Sequence, residues 1–589
     1  MRSALTAVTA EVDGTGWRVP APSAAGAVGV GPLEVTVGAA APWPSWTWSV
    51  ANRSDRPVSV RRVALAFSLE PRGAALRMFR HGYQSWSSSG TAVAGVDRDP
   101  SSRGGAEMLR AAHHADQAVV EGDALRSEWF TLLTDGGGDP LLAAFEAATD
   151  HDGTLWLVRG PEGAWELRAE AFLGGAVMAP GETRSLHGIL LTTGDDPAAL
   201  LDGWARASGL LSGARVSAPY QVGWCSWYHY FHRISEEVVR SNLAGAPSWP
   251  FEVFQVDDGW QAGIGDWLST SATFPRGLDA LASSIRAAGY RAGLWLAPFL
   301  AAPDSDVARG HPDWMAGRVS SSGQTVPLHA WFNPTWGGGR GGRMFALDTS
   351  NPEVIEHLES VGRILADIGF GYLKLDFTFA PSGDGVWSDP AMTPAARVRA
   401  GFDAIRRGAG DDCFILACGA PLSHVMGSVD AARIGADVAP LWSLDPAAEV
   451  IPGYLATQPA TAHAWSATAA RSFMHRRFWL NDPDCVMLRT KETDLTPEQA
   501  ATWARAVGLS GGLALVSDDL ALLDDDARRL LAEVVSLGRQ ADAAAQRGAP
   551  AVCPDLLDGP TATSLAAAGH VLRVDPATGR SDLASAGDR

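Results

Sequence analysis

Two charges interrupt an otherwise apolar run, Gly371-Tyr372-Leu373-Lys374-Leu375-Asp376-Phe377-Thr378-Phe379. The run reads as a strand following a helix, and a parallel strand buried on both faces is normally apolar throughout. Lys and Asp are rarely buried without a partner or a task. Lys374 and Asp376 stand two apart, so on a strand they face the same side. Alone, the pair fits a structural ion pair as well as a carboxylate kept ionised for chemistry by its cation. Similar constellations recur along the chain. Asp257-Asp258 precedes Gly259, Arg433 stands four residues before Asp437, and Asn481-Asp482-Pro483-Asp484 carries two further acids.

The elements that must position these residues begin near Val222. From there apolar strands alternate with longer helical patterns, the rhythm of βα units and a parallel sheet. Eight strand candidates can be read: Val222–Tyr230, Val253–Trp260, Arg291–Phe299, Tyr372–Phe379, Phe414–Pro421, Ala432–Val438, Phe478–Leu488 and Gly512–Leu520. Between them, Pro352 to Ala366 has Ser350 or Asn351 as cap, Val354, Leu358, Val361 and Leu365 at helical spacing, and Gly369 as stop. Leu278 to Ala288 reads the same way, with Gly289 as stop. Eight strands with intervening helices over about 300 residues fit a (β/α)8 TIM barrel. A doubly wound open sheet is the runner-up, but no GxGxxG follows the first strand.

Ahead of the barrel, short alternating runs such as Leu33–Val37, Ser45–Val50 and Trp165–Glu170, broken by turn residues, predict a β-sandwich. The expected organisation is an N-terminal β-sandwich over 1–216, a catalytic barrel over 217–539, and a small C-terminal β domain or tail over 540–589. That tail is Ala- and Pro-rich with one strand-like run, His570–Val574.

In such a barrel, the C-terminal strand ends build the site. Those ends bring forward Asp257 and Asp258, Trp295, Lys374 and Asp376, Cys418, Arg433 and Asp437, and Asp482 with Asp484. One acid at a strand end is a common cap; acids, a Lys, an Arg and two Trp on one rim are harder to explain as caps. Retaining glycoside chemistry needs a carboxylate nucleophile and a second carboxyl that serves as acid and then base. Lys374 would keep Asp376 ionised, while the apolar flanks of Asp437 would raise its pKa. Arg433 is expected to bond substrate hydroxyls rather than pair tightly with Asp437. Asp257 and Asp258 suit vicinal sugar hydroxyls, and Trp295 suits an apolar sugar face. A divalent metal on Asp257, Asp258 and Asp376 is the alternative, with Lys374 arguing against it. The pair His113-His114 reads as a solvated turn, and His463 and His475 as helix residues. Cys418 reads as core first and pocket wall second, with no His nearby to make it a nucleophile. Asn481-Asp482-Pro483-Asp484 fits an orienting role and a plain turn equally well.

Composition narrows the classes. The 589 residues carry a net charge of −19, with 46% hydrophobic and 19% charged residues, as in ordinary globular proteins. Such an acidic chain argues against nucleic acid and against an anionic membrane surface. The 23 Trp against 7 Tyr hint at sugar stacking. Five scattered cysteines suggest no disulfide framework and suit a reducing, cytoplasmic setting. Met1 to Val12 lacks the apolar stretch of a signal peptide, and no run reaches the length of a membrane span. No cofactor or metal is expected, the expected partner is a small oligosaccharide, and a homo-oligomer is compatible with the reading.

Four motifs in order, Gly223-Trp224-Cys225-Ser226-Trp227-Tyr228-His229-Tyr230-Phe231, Val256-Asp257-Asp258-Gly259-Trp260, Lys374-Leu375-Asp376 and Arg433-Ile434-Gly435-Ala436-Asp437, resemble glycoside hydrolase family 36, the α-galactosidases, in its shorter bacterial form. The resemblance spans roughly Val222 to Leu488. It implies Asp376 as nucleophile and Asp437 as acid/base. It also implies that Asp257, Asp258, Trp295, Lys374, Cys418 and Arg433 line the pocket for a terminal galactose, as in melibiose or raffinose. In that family a Trp from the N-terminal domain closes the pocket; the loop Arg80-His81-Gly82-Tyr83-Gln84-Ser85-Trp86-Ser87 offers Trp86. One departure is Leu375, where the family usually has an aromatic; its side chain should face away from the site. The resemblance leaves open an α-N-acetylgalactosaminidase or a galactosyl transferase on the same fold, and a non-catalytic carbohydrate-binding protein.

Overall fold

The computed structural model describes the chain apart from residues 23–24, 41–44, 74, 104–106, 121, 161–162, 337–341, 446, 448–453 and 586–589. Two antiparallel sheets come first. One runs Thr15–Pro20, Arg2–Val12, Val58–Glu70, Trp165–Met178, Asp152–Arg159, Leu125–Glu128 in spatial order; the other has eight strands, from Gly26–Val30 to Gly90–Val93. Alternation drives their packing: Leu33, Val35 and Val37 are buried, while Glu34 is half-buried and Thr36 exposed. Leu65 and Phe67 of the first sheet share one buried cluster with Val50 and Leu142 of the second.

After a connecting helix, Pro197–Leu211, eight parallel strands follow: β1 (Val222–Cys225), β2 (Val253–Val256), β3 (Arg291–Leu296), β4 (Phe370–Leu375), β5 (Phe414–Ala417), β6 (Ala431–Arg433), β7 (Leu480–Asp482) and β8 (Ala514–Val516). They pair in sequence, with β8 beside β1. The ring closes between β7 and β8 through Leu513 N–H donating to Asn481 O at 2.9 Å and Val486 N–H donating to Leu515 O at 2.8 Å. Each strand is shorter than its sequence pattern predicts. The chemistry-bearing residues after β2, β4 and β6 therefore sit on the loops at the strand ends, where backbone can bend toward a site.

The helix predicted between β3 and β4 spans Pro352–Ile368. Asn351 caps it by accepting from Glu353 N–H, and Gly369 ends it at φ 115°, a left-handed conformation that favours glycine. Ahead of that helix lies an excursion that no periodicity announced. Strands Leu300–Ala301, His329–Phe332 and Arg343–Ala346 form a small sheet, and Gly317–Val319 pairs with Thr325–Pro327.

At the far end, a helix runs Asp525–Gln546, started by Asp524 accepting from Ala527 N–H. The predicted boundary between 539 and 540 falls inside it. The Ala-rich stretch that suggested a tail is a strong helix former and carries the helix through Gln546. A three-stranded sheet, Ser564–Ala567, His570–Val574 and Ser581–Ser585, follows. Among the described residues, no helix is long and apolar enough to cross a membrane.

Candidate active site

The rim of the barrel gathers the charges found in sequence. Lys374, near the end of β4, is buried, and its ammonium lies 2.9 Å from Asp257 Oδ2 and 3.9 Å from Asp376 Oδ2. Burial works against its charge, but Asp257, then Cys418 and Asp376, more than offset this, and its pKa lies well above the ordinary lysine value. The closest contact of Lys374 is thus with Asp257 rather than with Asp376, its neighbour on the strand. Asp376 is held by neutral donors: Trp295 Nε1–H at 3.0 Å on one oxygen and Phe377 N–H at 2.8 Å on the other. Phe377 itself adopts φ 52°, a strained conformation for an aromatic residue, at the bend where the chain leaves the strand. Trp295 therefore acts here as a hydrogen-bond donor as well as a wall.

Asp257 and Asp258 stand just after β2. Asp257 Oδ2 also accepts from Gln255 Nε2 at 2.6 Å, and Ser226 Oγ accepts from the Asp257 amide at 2.9 Å. Asp258 accepts from Gln261 Nε2 and from Trp336 Nε1, both at 2.6 Å, with His232 Nδ1 at 3.4 Å. A carboxylate has about four acceptor positions, so Asp258 keeps capacity for a ligand hydroxyl, whereas Asp257 is largely occupied by Lys374, Gln255, the Asp258 amide at 2.9 Å and the Cys225 thiol at 3.6 Å. Trp336 was not singled out in the sequence; it arrives from the excursion between β3 and β4, to which no spacing rule applied.

Arg433 departs from expectation. Instead of being free for hydroxyls, it is a hub for three carboxylates: Nε to Asp482 at 2.8 Å, Nη1 to Asp437 at 2.9 Å and Nη2 to Asp484 at 2.8 Å. The tight pair with Asp437 exists because the chain turns after Arg433, so the four-residue spacing folds back instead of running out along a strand. Asp482 and Asp484, for which orienting and turn roles were equal in sequence, orient. Asp484 accepts from Tyr228 OH and, at 2.9 Å, from Val438 N–H, which anchors the backbone beside Asp437.

Asp437 presents its carboxyl to the opening, with its side chain 30% exposed. Its pKa is raised to about 7, first by desolvation and then by the like charges of Asp484 and Asp376, against the pull of Arg433 and Lys374. That Asp376 appears among those influences places the two carboxyls in one electrostatic neighbourhood. Cys418 is fully buried, its thiol pushed well above the usual range by burial and then by Asp376. It packs with Trp86, Ala112 and Phe379.

Trp86 comes from the N-terminal sheets and does reach this wall. Its ring lies 5.0 Å from that of Phe377 and 6.3 Å from that of Trp331, between centroids. It also covers Gly419 at φ 53°, where a Cβ would meet the indole at 2.9 Å. The loop is tied to the segment after β5 by Ser85 N–H to Ala420 O and Leu422 N–H to Tyr83 O, both 3.1 Å. Arg471, at the end of helix Thr461–Arg471, is fully buried and holds the same loop by its carbonyls. It donates to Ser85 O at 2.7 Å, Ser87 O at 2.8 Å, Gly82 O at 3.2 Å and Gln84 O at 3.3 Å. One more bond, to Ile434 O at 2.8 Å, reaches the segment that leads to Asp437. This clamp had no sequence signature.

The histidines also differ from expectation. His113 and His114 are buried at the end of helix Glu107–His113, bonded to Ser87 Oγ at 2.9 Å and to Tyr454 OH at 3.1 Å, rather than forming a solvated turn. His463 lies on the helix Thr461–Arg471, whereas His475 follows a short 3-10 turn and bonds Asp542 at 2.8 Å. Among the described residues, no group of three or more His, Cys, Asp or Glu side chains is arranged to hold a metal ion.

A protein-family model described as Melibiase matches residues 223–380, the span from β1 to just beyond Asp376. Of curated relatives, the α-galactosidase AgaA of Geobacillus stearothermophilus is 28% identical over 159 residues, 26% of this chain and 20% of that protein's length. An α-galactosidase of Escherichia coli is 25% identical over 140 residues, 23% of this chain and 18% of its own length. The matched stretch thus spans about a fifth of these relatives. Solved structures extend the likeness to the whole chain. TtGalA, an α-galactosidase from Thermus thermophilus in complex with p-nitrophenyl α-D-galactopyranoside, superposes with TM-score 0.68 and 26% identity, covering 97% of this chain and 99% of that one. Family 36 AgaA from Geobacillus stearothermophilus superposes with TM-score 0.55 at 14% identity over 91% of this chain and 75% of that one, a likeness of fold alone. In motif and in backbone the chain is similar to α-galactosidases, those of glycoside hydrolase family 36 among them.

Proposed function

We propose that the protein is a retaining exo-α-galactosidase that releases terminal α-galactosyl residues from oligosaccharides of the melibiose and raffinose type. Asp376 attacks the anomeric carbon and forms a galactosyl ester. Asp437 protonates the departing oxygen, then takes a proton from the water that releases galactose. The observation that carries this reading is the pair itself: two aspartates on one rim, one held by neutral N–H donors and the other raised to about 7, in part by the charge of the first. A sensor or binding module needs no such difference between two acids.

The other residues fall into supporting roles. Trp295 orients Asp376, and Lys374 is itself positioned by Asp257. Asp258, steadied by Trp336, is suited to a sugar hydroxyl pair, with Trp86 and Cys418 as apolar wall. Arg433 positions and tunes Asp437 in place of binding hydroxyls directly. Five free thiols favour a reducing, cytoplasmic setting. The test is a panel of nitrophenyl glycosides assayed with and without chelator. Turnover of the α-galactoside alone, unaffected by chelator, supports the reading; turnover of the α-N-acetylgalactosaminide in its place, or none, overturns it.

A further inference from the structure

The motif that ends β1 supports both halves of the rim. Its first part holds Asp257, through the Ser226 hydroxyl and the Cys225 thiol. Its second part, the single helical turn Trp227–Tyr230, sends a side chain to the other half. Tyr228 is buried, and its backbone is pinned on both sides: its N–H donates to Ser517 Oγ at 2.8 Å, and its carbonyl accepts from Arg489 Nη2 at 3.0 Å. The ring therefore has little freedom, and its hydroxyl donates to Asp484 Oδ2. Burial, reinforced by Asp437 and Asp484, lifts the phenol pKa well above the ordinary tyrosine value, so the group stays a donor at neutral pH.

Asp484 is buried with donors on both oxygens. Oδ2 takes the phenol and, at 2.9 Å, Val438 N–H; Oδ1 takes Arg433 Nη2 at 2.8 Å and Cys485 N–H at 2.7 Å. Burial already raises the pKa of Asp484 against the pull of Arg433, with Asp482 adding to it. Without the phenol, this carboxylate would take up a proton more readily. Asp437 shares Arg433 with Asp484 and stands one residue before the Val438 amide that Asp484 holds. The charges that act on Asp437 are Asp484 from beyond β7, Arg433 on β6, and Asp376 and Lys374 from β4 and its end. Asp482 occupies Arg433 Nε, and the Cys418 thiol beyond β5 is held protonated by burial. We propose that Tyr228 is a positioning residue for the acid/base: by donating to Asp484 it keeps that neighbour charged, and so keeps the proton on Asp437. This rests on the galactosidase reading above and adds a residue to it. Two effects agree in direction. A protonated Asp484 would repel the Asp437 carboxylate less and would neutralise Arg433 less, and both let Asp437 lose its proton at lower pH.

The experiment measures kcat/KM against pH, on raffinose and on p-nitrophenyl α-galactoside, for the full chain and for Tyr228→Phe, Asp484→Asn and the double variant. 4-Fluorophenylalanine placed at position 228 fills the volume of the hydroxyl without donating, and replaces Phe if the smaller ring prevents folding. Loss of the donor should move the alkaline limb on raffinose down by about half a unit to one unit. That is a loss of about threefold to tenfold near about pH 7.5, whereas the aryl substrate, whose leaving group needs no proton, should change by less than about twofold. In the double variant the limb should stand where Asp484→Asn alone puts it, because the phenol then has no charge to hold. An equal loss on both substrates at every pH, with the limb unmoved, makes Tyr228 a packing residue and overturns the proposal. Additive shifts in the double variant overturn the route through Asp484. Absence of turnover of either substrate by the wild type overturns the galactosidase reading and this inference with it.

Discussion

The loops after β4 and β6 end in the same residue type and build opposite surroundings for it. Asp376 takes two N–H donors, from Trp295 and Phe377, with the nearest cation, Lys374, 3.9 Å away and closer to Asp257. Asp437 has a guanidinium at 2.9 Å, yet its pKa rises to about 7, because burial and two neighbouring acids outweigh an arginine already shared with Asp482 and Asp484. Counting cations near a carboxyl would assign the two roles the wrong way round. What lifts Asp437 in spite of its arginine is that this cation is already shared among three carboxylates and that like charges lie close by.

The largest break in this comparison is removal of the proposed nucleophile, Asp376. Asp376→Ala should lower kcat on any α-galactoside by roughly 10⁴-fold or more, read by galactose release. Asp437→Ala should cost roughly 10²- to 10⁴-fold on raffinose but much less on a nitrophenyl galactoside in the first step, since a good leaving group needs no proton. Equal losses on both substrates would remove the acid role.

A smaller effect tests the clamp that joins the N-terminal loop to the rim. Arg471→Met strips donors from five carbonyls, on Gly82, Gln84, Ser85, Ser87 and Ile434. It should cost about 2–4 kcal/mol in denaturant unfolding and raise KM about tenfold as Trp86 loosens, with Arg471→Lys between it and wild type. Loss of stability with KM unchanged would make Arg471 purely structural.

The smallest effect sharpens the tuning. In the proposed mechanism Asp437 acts protonated, so wild-type kcat/KM should fall as pH rises through about 7. Asp484→Asn removes a like charge and leaves Arg433 less neutralised. Both changes favour the Asp437 carboxylate, so the alkaline limb should move to lower pH, by up to about one unit. A shift to higher pH would contradict the assigned cause.

Much of this was legible in the sequence. The eight strands appear in the predicted order, and Lys374, Asp376 and Asp437 stand out because charges are rare in buried strands. What stayed hidden depends on contacts between segments far apart in the chain. Trp336 reaches Asp258 from 78 residues away, and Arg471 reaches Ser85 from 386. Neither the partners of Arg433 nor the burial of His113 and His114 follow from local periodicity, since a turn after β6 and the distant partners Ser87 and Tyr454 decide them.

The account depends on Asp376 becoming esterified and Asp437 relieving it. In the Asp437→Ala protein, p-nitrophenyl α-galactoside can load the enzyme without an acid, but no base then helps water release the sugar. Acid quenching and peptide mapping by mass spectrometry should find one galactosyl unit on the peptide that contains Asp376. A sugar on any other residue, or none while inverted galactose accumulates, would contradict the double-displacement mechanism.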